Sequence, residues 1–144
     1  MKIVNNVLVK VNNDDIKDGT FIIPDRVTSI GEYAFSGCTS LVTITIPESV
    51  TSIGRGTFYF CSSLETITIP EGVTSIDEEA FYCCAALETI TLPDGLTSIG
   101  KDAFYHCYAL KTITIPEGVT SIDEKAFYCC TSLKSLTLPE SLTN

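Results

Sequence analysis

The sequence predicts a solenoid of the α/β class, built from coils of 23 residues. Two observations support this fold class. Proline recurs at a constant step of 23 residues, and isoleucine, phenylalanine, cysteine and leucine keep the same step in fixed phase with it. Self-similarity at one short period is typical of solenoids, in which each repeat buries its apolar side against its neighbours. The recurring prolines are Pro24, Pro47, Pro70, Pro93, Pro116 and Pro139.

The segment before the repeats has a different pattern. Residues 1–20 do not match the repeat, and apolar residues flank Asn5 and Asn6. Because asparagine tolerates turn geometry, this pattern predicts a β-hairpin. We interpret residues 1–20 as an N-terminal cap and residues 21–144 as a solenoid of about five coils. Its C-terminal end is predicted to be uncapped.

Each coil begins with a predicted strand. In residues 66–69 threonine alternates with isoleucine, which predicts a half-buried strand whose isoleucines face the core. Pro70 and Gly72 then favour a turn. Val73 and Ile76 anchor a second, shorter strand. We expect the first strands of successive coils to lie parallel to one another.

The remainder of the coil is predicted to contain one to two helical turns. Asp77 suits a helix N-cap. Ala80, Phe81, Cys84 and Leu87 follow at spacings of one, three and three, which fits an apolar stripe on a short helix. The sequence therefore predicts two strands and a short helix in each coil.

A family resemblance rests on the full repeat. The pattern L..I.IP..V.SI...AF..C, found in residues 64–84, resembles BspA-type (Treponema-type) leucine-rich repeats, and it extends over residues 21–144. The resemblance implies a curved solenoid with a parallel sheet on its concave face. It also implies a surface adhesin or protein-binding module rather than an enzyme.

Composition narrows the choice of partner. The formal net charge is −9, which argues against nucleic acid and against an anionic membrane. No apolar run approaches the roughly 20 residues of a membrane span. The expected partner is therefore another protein, and neither membrane insertion nor a cofactor is expected.

The cysteines are predicted to be reduced. Five of the seven form one column of the repeat, as a small buried apolar side chain would. Their side chains point the same way and so do not converge for disulfides. Reduced thiols and the lack of a signal-peptide pattern at the N-terminus favour an intracellular protein, whereas the family resemblance favours the cell surface. The column comprises Cys38, Cys61, Cys84, Cys107 and Cys130.

Catalytic and metal-binding constellations are weak. The chain has one histidine and no set of nucleophile, base and acid, so no catalytic site is predicted. Cys83, His106 and Cys129 occupy one column and are zinc-ligand types, but no fourth ligand accompanies them. We therefore predict no metal site.

Two ladders are candidate binding surfaces. The first is a concave array of threonines, which the ordinary preference of threonine for strands explains directly; by fold analogy alone the array also resembles an ice-binding grid. The second is a tyrosine ladder, whose rings either serve an interface or only stack on one another. The residues are Thr43, Thr45, Thr66, Thr68, Thr89, Thr91, Thr112 and Thr114, with Tyr59, Tyr82, Tyr105 and Tyr128.

A charged column lies beside the threonine strands. It is acidic in one half and basic in the other, which would orient a partner more than strengthen its binding. Rim residues without a role give the same pattern. The column comprises Val42, Glu65, Glu88, Lys111 and Lys134.

The last coil suggests self-association. Leu136, Leu138 and Leu142 are predicted to lie on an open end, where apolar surface and unpaired strand edges favour a homodimer. Alternatively, Lys134 and Glu140 together with fraying keep this edge monomeric. The sequence thus favours a non-enzymatic protein-binding or adhesion module, with a structural or self-assembling element as the alternative.

Overall fold

A computed structural model describes residues 1–140 and 142 of the chain. The N-terminal strands β1 (Lys2–Val4) and β2 (Val7–Lys10) form an antiparallel hairpin. Asn5 and Asn6 make its turn, with φ angles of 50° and 64° in the left-handed region that asparagine tolerates. A short 3-10 helix, η1 (Asn13–Asp15), follows. The assignment of residues 1–20 as a cap stays a prediction.

The repeats contribute two strands per coil. The first strands lie at 23-residue steps from β3 to β13, which gives five complete steps and the beginning of a sixth coil. In chain order the strands are β3 (Thr20–Ile22), β4 (Ser29–Ile30), β5 (Thr43–Thr45), β6 (Ser52–Ile53), β7 (Thr66–Thr68), β8 (Ser75–Ile76), β9 (Thr89–Thr91), β10 (Ser98–Ile99), β11 (Thr112–Thr114), β12 (Ser121–Ile122) and β13 (Ser135–Thr137).

All pairing between coils is parallel and in register. On the first layer β3, β5, β7 and β9 form one sheet, and β11 pairs with β13. On the second layer β8, β10 and β12 form one sheet, while β4 and β6 continue the hairpin because β2 pairs with β4. Equivalent residues face each other, as Thr66 faces Thr89 and Ser98 faces Ser121. The solenoid with parallel strands predicted from the repeat is confirmed.

The core lies between the two layers of strands and the third side of each coil. Phe35, Phe58, Phe81 and Phe104 are fully buried. Successive rings in this column lie 5.2–5.3 Å apart between centroids, so each phenylalanine packs on its equivalents in the next coils. Burying such a side chain contributes about 1.5–3 kcal/mol. The predicted core column therefore forms a continuous apolar contact between coils.

The predicted helical turns are wrong. In the third part of each coil, N–H groups alternate between two partners: Phe58 donates to Ala80 of the next coil at 2.9 Å, and Tyr59 donates to Gly56 in its own coil at 3.0 Å. Phe60 and Cys61 repeat this alternation with Tyr82 and Phe58. A helix would use every N–H within the segment. The apolar stripe is buried as predicted, but a series of turns, rather than a helix, directs these side chains into the core.

Left-handed residues explain why no helix forms. Two positions in each coil have positive φ, and each interrupts right-handed helical geometry. Glycine, the residue that usually marks a positive φ angle, occupies few of these positions, so they cannot be recognised from the sequence. The second such column comprises Gly37, Phe60, Cys83, His106 and Cys129, with φ angles of 57–72°.

The predicted N-cap at Asp77 is also wrong, because no helix follows it. The Asp77 carboxylate instead accepts a hydrogen bond from the Ser75 hydroxyl at 2.9 Å. Glycine stands at the equivalent position of other coils for a packing reason. A Cβ atom on Gly100 would lie 2.7 Å from the backbone nitrogen of Glu78, and one on Gly54 would lie 2.8 Å from that of Glu32.

The turn geometry predicts that one substitution by glycine stabilises the protein. Cys83→Gly should raise the free energy of unfolding by about 0.5–1 kcal/mol, because an L-residue at positive φ is strained by about 1–2 kcal/mol and glycine is not. Urea unfolding monitored by circular dichroism measures the change. Cys84→Gly is the control and should lose at least about 1 kcal/mol, since Cys84 is buried. Destabilisation by Cys83→Gly would contradict the left-handed assignment.

Candidate binding surfaces

The threonine ladder lies exposed on the first layer of strands. We call this surface the threonine face: the exposed threonines of β5, β7, β9 and β11. Alternation along each strand turns Thr66 and Thr68 outward and buries Ile67 between them. Within the described part of the chain, the hydroxyls of Thr66, Thr68, Thr89 and Thr91 make no hydrogen bond, whereas Thr43 pairs with Thr20 at 3.1 Å. The face offers hydroxyl and methyl groups at regular spacing.

Two shallow depressions interrupt the threonine face at equivalent places. One, of about 250 Å³, is lined by Thr45, Thr68, Glu48 and Pro70 among others. The second, of about 230 Å³, is lined by the equivalents 46 residues further on, including Thr91 and Asp94. The partly exposed Ile46 and Leu92 contribute apolar surface to them. The face therefore combines polar, apolar and acidic groups.

A second threonine ladder was missed by the sequence reasoning. The hydroxyls of three of its members donate to backbone carbonyls of the preceding coil: Thr97 to Thr74 at 3.0 Å, Thr120 to Thr97 at 3.4 Å and Thr51 to Thr28 at 3.5 Å. The repeat step alone could have identified this column. Because these hydroxyls join neighbouring coils, they have a structural role that the hydroxyls of Thr66, Thr68, Thr89 and Thr91 do not have within the described residues.

The tyrosine ladder is a stack of rings. Tyr82 and Tyr105 lie 4.7 Å apart at an interplanar angle of 1°, and Tyr59 and Tyr128 extend the stack at 4.8 and 5.0 Å. Removal of water from the packed rings raises the pKa of Tyr59, Tyr82 and Tyr105. The rings thus stack on one another, as the alternative interpretation stated. Binding through their edges stays a prediction.

The three residues considered for zinc are engaged elsewhere or spread along the column. The His106 ring stacks on Tyr105 at 4.1 Å, and its Nδ1 atom lies 3.1 Å from the Tyr108 hydroxyl. Cys83 and Cys129 are partly exposed free thiols. Within residues 1–140 and 142, no group of three or more His, Cys, Asp or Glu side chains is arranged to hold a metal ion.

The cysteine column joins neighbouring coils through its thiols. From Cys61 onward each thiol of the column donates to the phenylalanine carbonyl 26 residues earlier, as Cys84 does to Phe58 at 3.1 Å and Cys107 does to Phe81 at 3.2 Å. The first thiol, of Cys38, donates to the Val11 carbonyl at 3.4 Å. Burial raises the pKa of Cys61, Cys84 and Cys107, and raises that of Cys130 to about 11. The column thiols are free in the structure, and a raised pKa keeps them in the less reactive thiol form.

Charged groups form one local network. The Arg55 guanidinium lies 2.8 Å from the Glu79 carboxylate and 3.3 Å from that of Glu78. The Tyr33 hydroxyl also donates to Glu79, at 3.2 Å, so this network spans three coils. In the charged column beside the strands, Lys111 and Glu88 form a looser pair at 3.6 Å. These exposed pairs contribute little stability each.

The leucines considered for self-association are not equivalent. Leu136 and Leu138 are 40% and 50% exposed, although Leu136 continues the buried isoleucine positions of β7, β9 and β11. Leu142 is partly buried against the core. The apolar surface in this region therefore belongs to the first two leucines.

An acidic column borders the threonine face and was not identified from the sequence, although the repeat step contains it. One acidic residue follows the proline of each coil, and all six side chains are exposed. This acidic column comprises Asp25, Glu48, Glu71, Asp94, Glu117 and Glu140.

The family assignment follows from the repeat and its match to known families. The BspA type leucine-rich repeat region matches the chain in six copies over residues 12–107 and 51–144. The chain belongs to this family. The fold and the match agree with the resemblance inferred from residues 21–144. No curated protein matches the chain.

Several solved structures are similar to this leucine-rich repeat chain. A leucine-rich repeat protein from Bacteroides ovatus is 44% identical, with a TM-score of 0.83 over 85% of this chain and 34% of its own. A leucine-rich cell surface protein from Faecalibacterium prausnitzii is 40% identical, with a TM-score of 0.81 over 84% of this chain and 32% of its own. The leucine-rich repeat protein of T. pallidum is 35% identical, with a TM-score of 0.81 over 83% of this chain and 58% of its own.

The leucine-rich repeat chain spans about a third of the first two of these structures and somewhat more than half of the third. The family and the fold are those of repeat scaffolds, which are typically non-enzymatic. In the part of the chain that the structure describes, no helix has the length and apolar character needed to cross a membrane.

The thiol column predicts a loss of stability at alkaline pH. Because folding raises the pKa of these thiols, their contribution to stability is complete below about pH 8.5 and declines as pH rises toward the folded-state values. Urea unfolding at pH 8, 9 and 10 should show the decline. Cys107→Ala should reduce its slope by roughly 1 kcal/mol per pH unit, because one thiol no longer ionises on unfolding. Thr68→Ala is the control and should leave the slope unchanged; an unchanged slope in Cys107→Ala would contradict the assignment.

Proposed function

We propose that this chain is a non-enzymatic protein-binding or adhesion module that contacts its partner through the threonine face. The observation that carries the proposal is the pair of threonine ladders. The hydroxyls of Thr51 and Thr97 are used between coils, whereas those of Thr66, Thr68 and Thr91 remain available to a partner among the described residues. The two ladders therefore differ at these positions: the hydroxyls of Thr51 and Thr97 already bond a neighbouring coil, and those of Thr66, Thr68 and Thr91 do not.

Rigidity makes this surface suitable for binding. The strands carrying the face are hydrogen-bonded in register, and their inward side chains Ile67, Ile90 and Ile113 are buried. A partner can contact several coils at once without a cost of ordering this side of the interface. β-Branched threonine loses little side-chain freedom on contact.

A surface location is in keeping with a similar protein. The Faecalibacterium prausnitzii structure, 40% identical to this chain, is described as a cell surface protein. We infer adhesion at a cell surface as the setting in which the threonine face would act. The repeat arrangement supports contact with a protein over several coils.

Photo-crosslinking tests this function. A photoreactive amino acid at Thr68 should capture a partner protein, and the same group at Thr97 on the other ladder should not. The captured protein is then purified and its affinity is measured by calorimetry. Thr68→Tyr combined with Thr91→Tyr should weaken binding at least tenfold, because tyrosine keeps strand propensity but blocks the face.

Matched substitutions on the structural ladder provide the control. Thr74→Tyr combined with Thr97→Tyr should leave the affinity within about twofold, since rim substitutions outside a contact are near neutral. Equal loss in both double variants, or equal capture at both positions, would contradict binding through the threonine face.

A second candidate is a structural or self-assembling role through a homodimer. The exposed Leu136 and Leu138 favour it, and in the described chain β13 pairs only with β11. A two-fold arrangement would pair the edge of β13 opposite β11 antiparallel with its copy and close without forming fibres. This proposal concerns a surface separate from the threonine face.

Sedimentation equilibrium tests the dimer. At micromolar concentrations the chain should sediment as a dimer, and Leu136→Lys with Leu138→Lys should shift it to the monomer, because the substitutions remove the apolar contact and add like charge. Ser135→Lys with Thr137→Lys adds the same charge at the neighbouring positions but keeps both leucines, so a larger fraction of this variant should remain dimeric. A monomeric chain at about 100 µM, far above the dissociation constant of a stable dimer, would contradict the proposal.

A further inference from the structure

The acidic column forms one edge of the threonine face. Glu48 lines the first depression together with Thr68, and Asp94 lines the second together with Thr114. Each carboxylate follows a coil's proline, so the column runs along the end of every first strand. The threonines, the apolar floor and the carboxylates are therefore parts of one continuous surface.

The carboxylates of this column repel one another. Neighbouring coils lie ~4.8 Å apart, so equivalent backbone positions hold like charges at close spacing. The Glu48 carboxylate accepts a hydrogen bond from the Glu71 backbone at 3.4 Å. The ion pairs of Arg55, Lys111 and the N-terminus lie elsewhere on the chain. The column thus concentrates negative potential along one border of the face.

The opposite border of the face differs in charge. There the column that includes Glu65, Glu88, Lys111 and Lys134 changes sign along the solenoid. A partner on the face would meet an acidic side chain in every coil on the proline side, where Arg26 follows Asp25 in the first coil, and mixed charge on the other side. This asymmetry gives the face a preferred chemistry and orientation.

We propose that the threonine face and the acidic column together bind a segment of a protein partner that is rich in lysine and arginine. Cationic head groups would contact the carboxylates through charge-assisted hydrogen bonds. Their aliphatic stems would lie over the threonine methyls and the partly exposed Ile46 and Leu92. This proposal rests on the proposed binding function and specifies its partner.

The spacing of the column favours a helical segment. The backbone positions that carry the carboxylates recur every ~4.8 Å, whereas one face of a helix recurs every ~5.4 Å and one face of a strand every ~6.7 Å. Over five steps the column extends ~24 Å, a helix face ~27 Å and a strand face ~33 Å. Flexible lysine side chains can absorb the smaller mismatch. A basic helix lying along the solenoid axis is therefore the occupant.

Synthetic peptides test the proposal on the whole chain. The probe is an alanine-rich helical peptide with lysine at positions i, i+4 and i+7 of successive turns and leucine beside them. A second peptide carries glutamate in place of lysine, and a third has the lysine peptide's composition with the lysines spread around the helix. Calorimetry should show binding of the first peptide only, weakened at least tenfold between 50 and 500 mM sodium chloride, as screening requires.

Two triple variants with the same change in charge locate the binding. Glu48→Gln, Glu71→Gln and Asp94→Asn together should weaken the lysine peptide at least tenfold. Glu32→Gln, Asp123→Asn and Glu124→Gln remove three exposed carboxylates elsewhere and should change the affinity less than twofold. Equal loss in both triples means attraction by net charge only and overturns the site. Absence of binding overturns it as well, and equal binding of the third peptide overturns the helical spacing.

The crosslinked partner separates this proposal from the proposed function. If Thr68→Tyr with Thr91→Tyr weakens that partner while the Glu48, Glu71 and Asp94 triple does not, the face binds but its partner is not basic. If the triple also weakens it at least tenfold, both proposals hold. If neither set affects the partner, binding through this face fails altogether.

Discussion

Parallel, in-register pairing between coils is the constraint on which the rest of the structure depends. Because every strand pairs with the equivalent strand 23 residues away, each residue meets its own counterparts on both sides. Phenylalanine therefore packs on phenylalanine, and the thiols from Cys61 onward bond equivalent carbonyls in the coil before. A side chain in the core is therefore selected for packing against its own kind.

The same constraint produces the surfaces. A residue type repeated at an exposed position becomes a ladder, whether of threonine, tyrosine or carboxylate. Stacked tyrosines gain contact from this arrangement, as Tyr82 and Tyr105 show. Stacked carboxylates lose, since their charges repel. A ladder of carboxylates is therefore a feature that the fold tolerates rather than one that stabilises it, and that cost is the physical reason behind the proposal that it contacts a basic partner.

Much of the fold could be predicted from the sequence because the period is visible without any neighbour in space. The strands, the buried phenylalanine column and the free thiols follow from it. The turns were mistaken for a helix, since spacings of one, three and three from Ala80 to Leu87 suit either structure. The left-handed positions are held by residues such as Cys83 and His106 rather than by glycine, so the sequence did not indicate that a helix would be interrupted there. The candidate surface was predicted only in part: the threonines were found, but whether a hydroxyl is already used, as in Thr97, depends on a carbonyl in another coil.

The thiol-to-carbonyl bonds also allow the cooperativity of unfolding to be measured coil by coil. Each column cysteine is shielded by the coil that precedes it, so its reagent accessibility reports the separation of one specific pair of coils. Cys84 lies fully enclosed in the middle of the stack, whereas Cys130 is only partly enclosed near one end. Fraying of single coils would expose the thiols in sequence, and concerted melting would expose them together. The column therefore distinguishes zipper-like from all-or-none unfolding along one polypeptide.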